Sequence, residues 1–237
     1  MKFKGERSTN KVDFESIPNA PKKLLSPSLE VVPDWYKEMP RFLDENLYPE
    51  DKTRGMMTMK HCIPFLDSLT LGYVYRLPQD IYIEQLEDGP SVRWGQEPSP
   101  AHNRPPGQTG KMPAPAGHHI EHLVWRTQVT VKWPEGYSVL MTHPLNRFDL
   151  PFTTITGVVD GPFAMHQGNI PFHVREGFEG VIPKGTPFIQ CIPFLRENWK
   201  STEEDGVFLE SEANTNNEDF SQGGWYRRRK WQKKTYK

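Results

Sequence analysis

The chain has 237 residues, with 29 Lys and Arg against 30 Asp and Glu, and a formal net charge of −1. A nearly neutral chain sets up no overall field to draw in nucleic acid or a membrane surface. Its 35% hydrophobic content and mean hydropathy of −0.70 are lean for one globule, so part of the chain is expected in extended, surface-lying segments. Residues 1–33 are polar and punctuated by Pro, as an extended arm would be. A short helix is expected over 33–40, capped by Asp34 and stopped by Pro40. Cys62, Phe65 and Leu66 fit a short helix or turn. Leu71, Tyr73 and Tyr75 then alternate with Gly72, Val74 and Arg76, as in a strand. Strands over 81–86 and 91–94 around a turn at 87–90 predict a hairpin. Residues 95–117 lack apolar periodicity and are dense in Pro and Gly, which predicts a long loop.

A strand pattern returns over 118–133, with Trp125, Val129, Val131 and Trp133 on one face. Runs at 138–142, 152–159, 170–174, 179–182 and 186–195 complete a set of short strands, spaced as in a sandwich or barrel. The expected organisation is an N-terminal arm with one short helix (1–57), a β-rich core (58–199) and a C-terminal arm (200–237). The arm is uneven in charge. Residues 197–219 hold eight acids against one Lys, and residues 226–237 hold seven bases and no acid. Trp225, Arg227, Arg228, Arg229 and Trp231 mix rings with bases and are expected to bind a partner, such as the acidic run of this chain or of a neighbouring copy. Cys62 and Cys191 make no disulfide framework and are expected reduced and buried on strands.

Three patterns concern chemistry. His118, Glu121 and His122 put two imidazoles and a carboxylate within five residues, with His118 and His122 on one face of a strand; a cupin-like metalloenzyme would use such a set, completed by a distant His143, His166 or His173. Asp160 follows a strand and precedes Gly161-Pro162; it can hold a water or a sugar hydroxyl, or bond backbone amides as a turn Asp does. No Walker loop, Gly-x-Gly-x-x-Gly or Gly-x-Ser-x-Gly pattern occurs, which argues against P-loop hydrolysis, dinucleotide redox chemistry and a nucleophile elbow.

The order of signals over residues 134–196 resembles the β-clip core of dUTPases and dCTP deaminases. Pro134, Glu135, Gly136 and Tyr137 match that family's Pro-x-Gly-Tyr turn. Gly157, Val158, Val159 and Asp160 match the motif whose Asp orients water near a nucleotide. Gly185, Thr186, Pro187, Phe188, Ile189 and Gln190 match its Gly-x-x-Ile-Ala-Gln motif. Phe163 stands where a Tyr stacks on deoxyribose, and keeps the ring without the hydroxyl. The Arg-Ser phosphate motif falls at residues 143–147, where only Asn146 and Arg147 can serve. The wider set of phrases, among them Trp35-Tyr36-Lys37, Pro144-Leu145-Asn146 and Gly180-Val181-Ile182-Pro183, is similar to an uncharacterised family of bacteria and tailed bacteriophages.

The resemblance implies an all-β (minor α) fold, a β-clip-like distorted barrel or sandwich carrying extended arms, and a homo-oligomer, with a trimer favoured. Because several motif residues are replaced, the leading expectation is a non-enzymatic binding or structural protein that assembles through its arms, on its own or with other virion or scaffold proteins. The alternative is a nucleotide hydrolase or deaminase-like enzyme acting on a deoxynucleotide. Asp160 would then be catalytic, Phe163, Asn146, Arg147 and Gln190 would bind the ligand, and Mg²⁺ would be required. No cofactor is expected otherwise, and nucleic acid is not an expected partner. Residues 1–16 lack the apolar core of a signal peptide, and no apolar run approaches the ~20 residues of a membrane span. A cytoplasmic or virion-associated protein is expected, neither secreted nor membrane-spanning.

Overall fold

Short runs of β-branched and aromatic residues, each closed by Pro, Gly or Asn, set the architecture. The computed structural model describes residues 13–16, 24–46, 48, 56–160, 169–201 and 225–236. Their strands are β1 (Asp13–Ser16), β2 (Leu25–Pro27), β3 (Tyr73–Arg76), β4 (Ile81–Leu86), β5 (Gly89–Trp94), β6 (Ala101–Asn103), β7 (His118–Arg126), β8 (Val129–Lys132), β9 (Tyr137–Thr142), β10 (Phe152–Thr154), β11 (Gly157–Asp160), β12 (Asn169–Arg175), β13 (Gly180–Ile182) and β14 (Pro187–Leu195). The helices are short: α1 (Asp34–Lys37), α2 (Ile63–Thr70) and α3 (Trp225–Arg229). The protein is thus all-β with minor helix, as expected. Among the described residues the strands form open sheets rather than a closed barrel, ordered β11-β9-β14-β3-β2, β10-β12-β7-β6, β13-β4-β5 and β1-β8.

The chain groups into two compact units, residues 1–26 with 72–196 and residues 27–71 with 197–237. The first holds the main core. Trp125 stacks on Phe172 with ring centroids 3.6 Å apart and planes 8° apart, and Phe152 and Phe188 pack on the same indole. The expected face of Trp125, Val129, Val131 and Trp133 lies in this core. The expected hairpin is β4 and β5, in register from Ile81↔Trp94 to Leu86↔Gly89, so its turn shortens to residues 87–88.

Three expectations are corrected. The run over 118–133 is two strands, because β8 leaves β7 to pair with β1. Simple alternation fails in β3, where Val74 and Tyr75 are both buried because the strand lies inside its sheet with both faces covered. The segment 95–117 is not all loop. It contains β6, which pairs with β7 at Ala101↔Trp125 and buries Ala101 and Ser99. Three residues are too few to show a period.

In the second unit, α1 is a single turn. Pro33, not Asp34, is its N-cap residue, and the Asp34 carboxylate turns instead to Lys37 Nζ at 2.8 Å. Lys60 Nζ donates to the carbonyls of Tyr36 and Lys37 and lies 4.5 Å from the Tyr36 ring, so a cation closes the helix C-terminus. On α2, Leu69 is buried with Val32 and Tyr36, and Phe65 and Leu66 pack against them. Both cysteines are free: Cys191 is buried on β14, whereas Cys62 is half-buried and caps α2 rather than lying on a strand.

Candidate functional site

Three tight turns carry the residues that the sequence singled out. Each has Pro first and a left-handed residue third, closed by an amide of the fourth residue on the Pro carbonyl: Gly136 at φ +81°, Asn146 at φ +60° and Gly185 at φ +84°. The closing amides belong to Tyr137, Arg147 and Thr186. Asn146 is therefore a turn residue for a physical reason, since Asn tolerates this conformation better than most non-Gly side chains do.

The turn that carries Asn146 and Arg147 meets Gln190 through its backbone. Gln190, buried on β14, accepts the Leu145 amide on Oε1 at 2.8 Å. The Arg147 guanidinium grips Asp149 bidentately, with Nε to Oδ1 at 2.8 Å and a terminal nitrogen to Oδ2 at 2.7 Å. His143 Nε2 donates to the Arg147 carbonyl at 3.1 Å, and its Nδ1 accepts the Thr154 amide at 3.3 Å. These partners fix a neutral ring, and burial lowers its pKa.

Asp160 lies elsewhere. It ends β11 opposite Ser138, whose hydroxyl donates to Oδ1 at 2.6 Å, and it is exposed. Gln190 is opposite Thr142 on the same strand β9. Four residues at about 3.3 Å each put Asp160 roughly 13 Å along the sheet from the Gln190 corner. Within one chain the structure thus joins three of the expected site residues and holds Asp160 apart. Phe163 lies outside the described residues.

The residues of the expected metal set each hold a separate contact, and His166 lies outside the described residues. Among the described residues no group of three or more His, Cys, Asp or Glu is placed to hold a metal ion. The expectation assumed regular alternation, but β7 bulges: His122 pairs with His173, and His118 with Arg175 only two residues on. His118 bonds the Ala116 carbonyl and the Thr153 hydroxyl, each at 3.0 Å. Glu121 accepts the Gly107 amide on both oxygens. His122 instead faces His173 with ring centroids 6.2 Å apart, a cross-strand pair that spacing along one strand could not reveal.

The C-terminal segment has a partner within its own unit. Trp231 Nε1 donates to both carboxylate oxygens of Asp67 on α2, at 3.1 and 3.0 Å, and Lys234 Nζ reaches Oδ2 at 2.5 Å. Arg227 lies 5.9 Å from the Trp231 ring centroid, and Arg228 is exposed; α3 carries Trp225 and Arg229 in its backbone. The acid that takes this segment is Asp67 of α2 rather than the acidic run that the sequence offered. Residues 202–219 of the expected acidic acceptor lie outside the described residues.

No family model matches the sequence, and no curated protein matches it. Solved structures similar to it are staphylococcal phage dUTPases. A point variant of the dUTPase from phage phi11 of S. aureus, described with a structural Mg(II) ion, is 12% identical with a TM-score of 0.28, covering 54% of this chain and 97% of that one. A variant of the Staphylococcus bacteriophage 80alpha dUTPase with dUpNHpp is 13% identical with a TM-score of 0.30, covering 57% and 87%. The phi11 dUTPase with its species-specific insert is 15% identical with a TM-score of 0.27, covering 54% and 99%. Identities and scores of this size transfer no activity.

Proposed function

We propose that this chain is a non-enzymatic binding or structural protein that forms a homo-oligomer through its terminal segments. One observation carries the reading: the side chains available for a phosphate are spent within their own corner. Arg147 is neutralised by Asp149, and Gln190 holds the Leu145 amide. A phosphate entering there would meet the Asp149 carboxylate and would have to displace a bidentate pair. The described residues include no helix long and apolar enough to cross a membrane. The cytoplasm or a virion is the proposed location.

A second reading, a deoxynucleotide-hydrolysing or deaminating enzyme, draws on Asp160, whose exposed carboxylate is oriented by Ser138 at 2.6 Å. Mg²⁺ would then serve as cofactor. Turnover of each deoxynucleoside triphosphate, with and without Mg²⁺, separates the two, alongside thermal-shift measurements in which ligand at ~100 Kd stabilises by about 2.7 kcal/mol. The scaffold reading expects neither turnover nor shift. Turnover that disappears in Asp160→Ala establishes the enzyme instead.

A further inference from the structure

We propose that the Asp67 face of α2 is an exchangeable docking site, which takes the Trp231–Lys234 segment of a second copy of this chain as well as its own. The proposal rests on the assembly reading above and names the contact that would carry it.

The site is built for this occupant. The Asp67 side chain is only 18% exposed, so it has lost much of its water and needs donors in exchange. The segment supplies three bonds to one carboxylate: two from the indole N–H and one from an ammonium. A Trp combined with a charge-assisted bond is the chemistry of an interface anchor. The acceptor is one side chain on a short helix, and the donors lie within four residues of each other. The whole contact can therefore pass intact from one molecule to another.

Chain length permits this. Residues 202–224 place 23 residues between Ser201 and Trp225, a number whose reach is at most about 80 Å. Exchange keeps every bond and loses only the advantage of attachment, an effective concentration of at most about millimolar. Copies gathered to that density satisfy Asp67 equally well from a neighbour. The basic residues around the contact, Arg227, Lys230 and Lys233, are exposed and keep neighbouring tails from pairing with each other.

Full-length point variants test this by complementation. Asp67→Lys keeps a competent tail and lacks the acceptor. Trp231→Ala with Lys234→Glu keeps the acceptor and lacks the tail. Each is checked for folding by its thermal transition, and Asp67→Asn replaces Asp67→Lys if the lysine disturbs α2. In sedimentation velocity each variant alone is expected to stay monomeric to near-millimolar concentration, while their equimolar mixture forms a 1:1 dimer of twice the mass. A mixture that stays monomeric overturns the proposal, and so do variants that each associate as the wild type does. In that last case assembly itself stands and uses another surface. A wild type that stays monomeric at millimolar concentration counts against the assembly reading, and is read separately from the mixture.

Discussion

The indole N–H of Trp125 donates to the hydroxyl of Thr154 at 3.0 Å, in a core otherwise made of aliphatic side chains and rings. Thr154 passes the bond on, donating to the Phe188 carbonyl at 2.6 Å, and so ties β7, β10 and β14 together. Thr154→Val keeps the shape and leaves a buried N–H and a buried carbonyl short of a partner. Each such group costs about 1–3 kcal/mol. Denaturant unfolding should show a loss in that range or above with an unchanged m-value; a loss under 0.5 kcal/mol would mean that water replaces the hydroxyl.

Gly72 is at φ +69°, and a Cβ there would lie 2.1 Å from the Cys191 carbonyl oxygen. Backbone cannot yield as a flexible side chain can. Gly72→Ala is expected to cost more than about 2 kcal/mol, or to prevent folding. Gly107→Ala, also at positive φ but in open space, should cost only about 1 kcal/mol. Paired thermal transitions compare the two.

Gln190→Leu removes the acceptor of the Leu145 amide and leaves that amide without its partner. Hydrogen exchange at Leu145 should then quicken at least tenfold, with smaller changes in β14 itself. Equal quickening throughout β14 would show that Gln190 supports the sheet rather than the turn at 144–147.

Burial, first, lowers the pKa of His143 and of His102, the latter with the Arg126 guanidinium beside it. A depressed folded pKa means that the unfolded chain takes up the proton first. Stability from these rings is therefore fully present above about pH 6.5 and falls as pH drops below it, by at most about 1.4 kcal/mol per pH unit per ring. Thermal transitions between pH 8 and pH 5 should show this slope, and His143→Gln should remove that ring's share of it. An unchanged slope in the variant would place the titrating group elsewhere.

Local signals were legible where chemistry is local. The Pro-first turn at 134, the β4–β5 hairpin and the buried face of Trp125 are read from turn residues and alternation. Long-range pairing was not legible. β6 is three residues in a Pro-rich stretch, and only its partner β7 makes it a strand. The proposed metal set read His118 and His122 along one strand, whereas the bulge opposite Arg175 sets His122 against His173. The corner at Gln190 was half visible: motif order brought Asn146, Arg147 and Gln190 forward, but the Asp149 that occupies Arg147 lies outside any motif. Asp67 gave no sign of its partner, because that partner lies 164 positions away.

That separation bears on how the protein is made. Residues 27–71 emerge from the ribosome well before Trp231, and the bond that closes their unit waits for that residue. At about 5–20 residues per second, 164 residues take roughly 10–30 s to add. Throughout that interval the carboxylate on α2 lacks the donors that cover it in the finished chain, so any donor that meets it first competes with the chain's own tail.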